Sequence, residues 1–252
     1  MPMTDQRQSA WPAPLPDCAP VPARYRGVWM RTLLQTPDLQ DEATFVRWLQ
    51  LGRWHADLRI PLAARSGMGV CAALPYSEHQ LALLGRQQGF CGVTQVEADA
   101  QGEVCTWHRL VDYQPPGNSP DAGRMIFDTP DRVIETGVHG VYREIWQRLP
   151  QSTGRYIALA EPERSDGRAS ARLFLAGRYL MRVRPVQPAW QPEFEISFGV
   201  LTAGQWRVEQ STRPELEGQS TEFSIRRQSM SLARVDAAWA GAPDWQVLEW
   251  EE

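Results

Sequence analysis

From Tyr25 to the C-terminus the chain is cut into short segments that alternate apolar and polar residues. Turn signals end them: Gly52-Arg53, the DAQG of residues 99–102, Ala176-Gly177 and Ala203-Gly204. A period of two is strand geometry, because successive side chains point to opposite faces. Gly-bearing dipeptides between such runs close hairpins. A meander of hairpins leaves two open edges, and closing it into a barrel removes them. The predicted fold is therefore all-β.

The pattern is written twice. GFCGVTQVEA, TWHRLVDY, RMIFDT, RVIETGV and YREIWQRL in the first half correspond to FEISFGVLTA, QWRVEQST, EFSIRR, LARVDAA and WQVLEWEE in the second, with Trp107 matching Trp206. Self-similarity on this scale reads as a domain duplication. YREIWQRL is ambiguous alone, but its counterpart DWQVLEWEE alternates cleanly, so it is assigned as a strand. The 252 residues accommodate two small β-domains. The expected organisation is a disordered Pro-rich tail over 1–23, a barrel over 24–150 and a second barrel over 151–252. One helix is predicted between Ser77 and Gln88, with a Ser77/Gln80 capping box and Gly89 as its stop. The 99–102 turn sets Cys91 opposite Leu110, which keeps Cys91 and Cys105 from pairing.

Composition removes several function classes. The net charge is −4, and the 26 basic residues, all Arg, are scattered, so no cationic stripe offers itself to nucleic acid. With no Lys there is no Schiff-base or lysine-base chemistry. No apolar run is long enough to span a membrane and no leader pattern opens the chain, so a cytoplasmic protein with reduced thiols is expected. Walker A, Rossmann, GxSxG, HExxH and CxxC motifs are missing, and neither a cofactor nor a metal is expected. Haem in a barrel would need one pocket histidine, for which His108 and His139 are the candidates.

All four His (55, 79, 108, 139) and all four Cys (18, 71, 91, 105) lie in the first half, which favours a site in the first barrel. The segment WHADLRIP poses the central question. His55, Asp57 and Arg59 share one strand face with Trp48 and Gln50 across the turn; Leu49, Leu51, Ala56, Leu58 and Ile60 occupy the other. Either the apolar face forms the core and the charged face meets solvent, or the charged face lines a cavity and the apolar face packs outward on the second barrel. In the second reading Asp57, His108, Glu135 and His139 are acid–base candidates, and Arg31, Trp48, His55, Arg59 and Asp112 are ligand contacts. Trp239, Trp245 and Trp250 would build either a homodimer surface or the core of the second barrel.

The segments YRGVWMRTLLQT, FVRWLQ, WHADLRIP, GFCGVTQV, TWHRLVDYQPP, DAGRMIF and RVIETGVHGVYREIWQRL resemble a family of uncharacterised bacterial proteins and, more distantly, the fungal Hri-type proteins. The resemblance covers residues 25 to 185 well and the remainder weakly. It implies two tandem calycin-like (lipocalin-like) antiparallel β-barrels and brings no catalytic residues to transfer. The function expected is a small-molecule-binding barrel. The alternatives are a metal-free acid–base enzyme (isomerase, cyclase or dehydratase) and a protein whose filled barrels act only through their surfaces.

Overall fold

The computed structural model describes residues 15–66, 75–115, 119–162, 170–186, 194–241 and 244–252. The first sheet contains β1 (Gly27–Gln35), β2 (Gln40–Asp41), β3 (Phe45–Gln50), β4 (Trp54–Ile60), β5 (Gln88–Asp99), β6 (Gly102–Asp112), β7 (Asp121–Thr129), β8 (Arg132–Gly137) and β9 (Arg143–Arg148). Each strand from β3 to β9 pairs antiparallel with the next, β1 pairs with both β3 and β9, and the sheet closes into a barrel with β2 hanging on β1. The second sheet contains β10 (Tyr156–Ala160), β11 (Arg172–Ala176), β12 (Tyr179–Pro185), β13 (Phe194–Thr202), β14 (Gln205–Ser211), β15 (Ser220–Glu222), β16 (Ser224–Arg227), β17 (Leu232–Asp236) and β18 (Asp244–Glu251). It curls into a nearly closed barrel, with β15 and β16 as its unpaired edges. Among the described residues there is one α-helix, α1 (Glu78–Leu84), and no helix is long and apolar enough to cross a membrane.

Three apolar clusters organise the molecule. One fills part of the first barrel with Val21, Tyr25, Trp29, Val46, Trp48, Phe90, Trp107 and Trp146. Another fills the second barrel around Leu173, Leu175, Trp206, Val235 and Trp245. Trp245 is buried in that second core, and Trp239 and Trp250, half-buried, pack against it. The third joins the barrels. Leu49, Leu51, Ala56, Leu58, Ile60, Cys91 and Val111 on the outside of the first barrel meet Phe174, Ala176, Met181, Val183, Ile196 and Phe198 of the second. Of the two readings of WHADLRIP, the structure therefore takes the one in which the apolar face packs outward on the neighbour and His55, Asp57 and Arg59 turn inward. Polar contacts add to this seam. The Glu249 carboxylate on β18 accepts the backbone N–H groups of Gly52 and Arg53 at the β3–β4 turn. Arg65 donates to Gln87, the Ser211 carbonyl and Glu217.

The barrels repeat one another in detail. The two-residue turns before β4 and β12 are Gly52-Arg53 and Gly177-Arg178, the latter one residue beyond the expected Ala176-Gly177. In each barrel the register slips at a glycine, between Cys91 and Gly92 and between Phe198 and Gly199. A Cβ on Gly92 would collide with the His108 carbonyl, and one on Gly199 with the Arg207 carbonyl, so these bulges need a residue without a side chain. Beyond the bulge Cys91 pairs with Val111 rather than the expected Leu110; Cys91 and Cys105 are free thiols.

Two local expectations are also corrected. The helix stops at Leu84 with Gly85 as its C-cap, because Gln88 and Gly89 already pair in β5; the Ser77/Gln80 capping box is present. Residues 1–14 of the expected tail lie outside the described residues. Residues 15–23 are not loose: Cys18 and Val21 are buried, and the Val21 N–H donates to the Gly52 carbonyl at 2.6 Å. Cys71 lies outside the described residues.

Gly92→Ala is expected to cost about 3 kcal/mol, because a rigid carbonyl must move to admit the methyl group. Gly140→Ala, where the nearest atom is 3.9 Å away, should stay within about 0.5 kcal/mol. Urea unfolding midpoints of the two variants measure the difference.

Candidate functional site

The inner face of the first barrel changes character along its axis. One end is plugged by aromatic rings. Trp48 stacks on Trp29 at 6.1 Å and meets Trp107 and Trp146 edge-on at 5.5 and 5.8 Å. A buried hydrogen-bond chain crosses this plug. His55 Nδ1 lies 3.0 Å from Thr94 Oγ1, and that hydroxyl donates to Gln50 Oε1 at 2.7 Å. Gln50 Oε1 also accepts from the Trp48 indole at 3.2 Å, while the Gln50 amide donates to the Leu51 carbonyl. Because the Thr94 proton is committed to Gln50, His55 must donate from Nδ1, which leaves Nε2 as an unpartnered acceptor. Burial, reinforced by Arg109 and His108, holds the His55 pKa well below its ordinary value, so the ring is neutral. His55 and Trp48 thus belong to the plug and not to the cavity wall.

The other end opens into a cavity of about 390 Å³ with charged walls. Arg31 on β1 reaches across it, donating from Nη1 to Glu144 and from Nη2 to Asp41, each at 2.7 Å. Arg59 on β4 caps the buried Asp57 at 2.8 Å and leaves part of its guanidinium at the wall. Burial pushes the Asp57 carboxyl up, and Arg59 pulls it back. Asp41 overcomes its own burial, held below the usual carboxylate range by the N–H groups of Ala43 and Thr44 and by Arg31.

Glu135 and Glu144 are direct cross-strand partners on β8 and β9, both turned inward and both buried. Like charges placed opposite each other repel. Arg31 holds Glu144, whereas Glu135 accepts from neutral donors, Tyr142 Oη at 2.7 Å and Trp146 Nε1 at 3.0 Å. Burial, with Glu144 and Asp121 nearby, pushes the Glu135 carboxyl up to about 8. The cavity therefore carries an acid that holds its proton near neutrality.

The expected site residues do not all converge. Arg31, Arg59 and Glu135 line the cavity, with Asp57 immediately beneath Arg59. Asp112 is turned inward by the bulge, which reverses the faces expected beyond Arg109. Arg109 then bridges Asp112 and Asp121 at 2.6 Å each while lying 3.7 Å over the Phe90 ring. His108 pairs with Val93 on the outer face and bonds Gln95 at 2.9 Å. His139 is exposed in the loop after β8, because the strand ends at Gly137 and its alternation stops there. Neither histidine lines this cavity; His108 instead lines a separate cavity of about 470 Å³ with Trp107, Arg109 and Asp121. The titratable wall residues beyond those expected are Asp41, Asp121, Tyr142 and Glu144. Glu144 was findable, since the REIWQR alternation puts it on one face with Trp146. Asp41 sits in a two-residue strand with no periodic signal.

No protein-family model and no curated protein sequence matches the chain. Its structure is similar to the crystal structure of an uncharacterized protein from Saccharomyces cerevisiae, with a TM-score of 0.60 and 14% identity, covering 90% of this chain and 99% of that one. The likeness extends across both barrels and is one of fold.

Glu135 is expected to make stability depend on pH. A carboxyl at about 8 when folded keeps a proton that the unfolded chain, titrating near 4.5, releases. Between those values the native state binds more protons, so this contribution is full at low pH and is lost as pH rises through 8. The stability difference between wild type and Glu135→Gln should slope by up to about 1.4 kcal/mol per pH unit, wild type losing ground as pH rises. Urea titrations from about pH 5 to about pH 8.5 measure it.

Proposed function

We propose that the first barrel is a binding barrel for a small polar organic molecule, held in the charged cavity at its open end. The observation that carries this reading is the contrast between the barrel's two ends. A tryptophan plug seals one, while the other keeps about 390 Å³ walled by paired Arg and carboxyl groups. Small barrels either fill or hold one ligand, and this one does each along part of its length. A calycin-like barrel with a deep apolar calyx would take long-chain lipids. Here the plug shortens the space and its walls are polar, which fits a compact ligand that hydrogen-bonds. The free thiols of Cys18, Cys91 and Cys105 suit a reducing, cytoplasmic setting.

One observation favours a second reading. Glu135 is a wall carboxyl poised near neutrality, beside Tyr142, which suits general acid–base catalysis of isomerase, cyclase or dehydratase type. In that reading Glu135 replaces His108 and His139 as the acid–base group, and Arg31 or Arg59 orients the substrate.

Native mass spectrometry of gently purified protein is expected to show a small bound mass that disappears in Leu34→Trp, since Leu34 lines the cavity and an indole would occupy it. A long-chain fatty acid should not raise the melting temperature. Fatty-acid stabilisation, or an identical bound mass in the variant, would overturn the proposal. If the bound molecule is turned over, loss of turnover in Glu135→Gln with retention of binding would mark the enzymatic reading.

A further inference from the structure

The cavity wall carries more carboxyl groups than cations. Four carboxyls, Asp41, Asp121, Glu135 and Glu144, face two guanidinium groups, Arg31 and Arg59. Both are already engaged, Arg31 by Glu144 and Asp41, and Arg59 by Asp57. Arg109 behind the wall is likewise shared between Asp112 and Asp121. An anionic ligand would meet committed cations and surplus carboxyls. A cationic one would relieve the repulsion between Glu135 and Glu144. Among the described residues no group of three or more His, Cys, Asp or Glu is placed to hold a metal ion.

A second, independent feature lies in the segments that carry the wall residues. Leu39, Leu62 and Val141 are 54, 70 and 80% exposed. Each adjoins a wall residue: Leu39 is two residues from Asp41 and its carbonyl accepts the Thr36 N–H, Leu62 follows Pro61, and Val141 precedes Tyr142. Large apolar side chains are thus left in water at three points next in the chain to residues of the charged wall.

We infer that the ligand is an amphiphilic amine, its ammonium group received among Glu135, Glu144 and Asp121 and its apolar part leaving over Leu39, Leu62 and Val141. This rests on the reading of the first barrel as a binding barrel. An ammonium donates in three directions and suits a wall of acceptors. Its alkyl chain covers apolar surface that the protein leaves bare.

The arrangement also couples binding to a proton. Glu135 is faced by Glu144 from β9, Asp121 from β7, Arg59 from β4, Arg31 from β1 and Cys105 from β6, with Tyr142 and Trp146 as its donors. Its proton offsets carboxylate crowding, and an arriving ammonium does the same. Binding therefore releases the proton, and affinity rises as pH approaches 8.

Calorimetry with hexylamine, ethylamine, hexanol and hexanoate tests the inference, run in two buffers of different ionisation heat. Hexylamine should bind at least about tenfold tighter than hexanol or hexanoate and tighter than ethylamine. It should release up to roughly one proton, a release that vanishes in Glu135→Gln. Leu62→Ser with Val141→Ser, both at exposed positions, should erase the advantage of hexylamine over ethylamine. Hexanoate or hexanol binding as tightly as hexylamine would overturn the inference while leaving the cavity reading intact. So would a bound mass lost in Leu34→Trp from a protein that binds none of the four probes. No probe binding together with an unchanged bound mass in Leu34→Trp would end both.

Discussion

The contact between the two barrels governs the rest of the structure. A small barrel on its own must put its apolar faces inside, since the interior is its one dry place. Here Leu49, Ala56, Leu58 and Ile60 find a dry place outside, against Phe174, Val183 and Phe198. The alternate positions are thereby released from core duty, and His55, Asp57 and Arg59 can occupy the interior. Burying an ion pair seldom adds stability over apolar packing of the same volume. The charged lining of the first barrel is thus carried by apolar burial elsewhere.

The second barrel builds a different interior on the same framework. Its Gly-Arg turn, bulged glycine and following Trp206 hold the positions of their counterparts in the first barrel. By that register Arg182 stands where Asp57 does, and Arg184 where Arg59 does. Arg182 donates to the buried Glu195 at 3.0 Å and lies over the rings of Trp206 and Trp239 at 4.9 and 4.6 Å. There an inward charge is closed off by aromatic faces. In the first barrel Asp57 holds that place, and Arg59 beside it reaches a wall that remains open.

Much of this was legible in the sequence because strand alternation is a local signal. The hairpins, the repeat and the sharing of one face by His55, Asp57 and Arg59 all follow from a period of two. Which face is inside did not follow, since that depends on a partner surface more than a hundred residues away. Face assignments also failed wherever the period broke. The slip at Gly92 moved Asp112 inward beside Arg109, and the end of β8 at Gly137 released His139 into a loop. Glu144 shares a legible strand face with Trp146, whereas Asp41 reaches the cavity through a two-residue strand that leaves no pattern.

The inter-barrel seam has a further consequence, in the order of synthesis. The first barrel has all its strands once Arg148 has been made, yet its outer apolar surface stays bare until β11 to β13 arrive, between Arg172 and Thr202. During that interval the nascent chain carries a closed sheet with an uncovered greasy side, a state open to non-native association. Glu249, which fastens the β3–β4 turn, emerges later still, with β18. The earlier barrel therefore reaches its final form only when the ribosome has nearly finished with the later one.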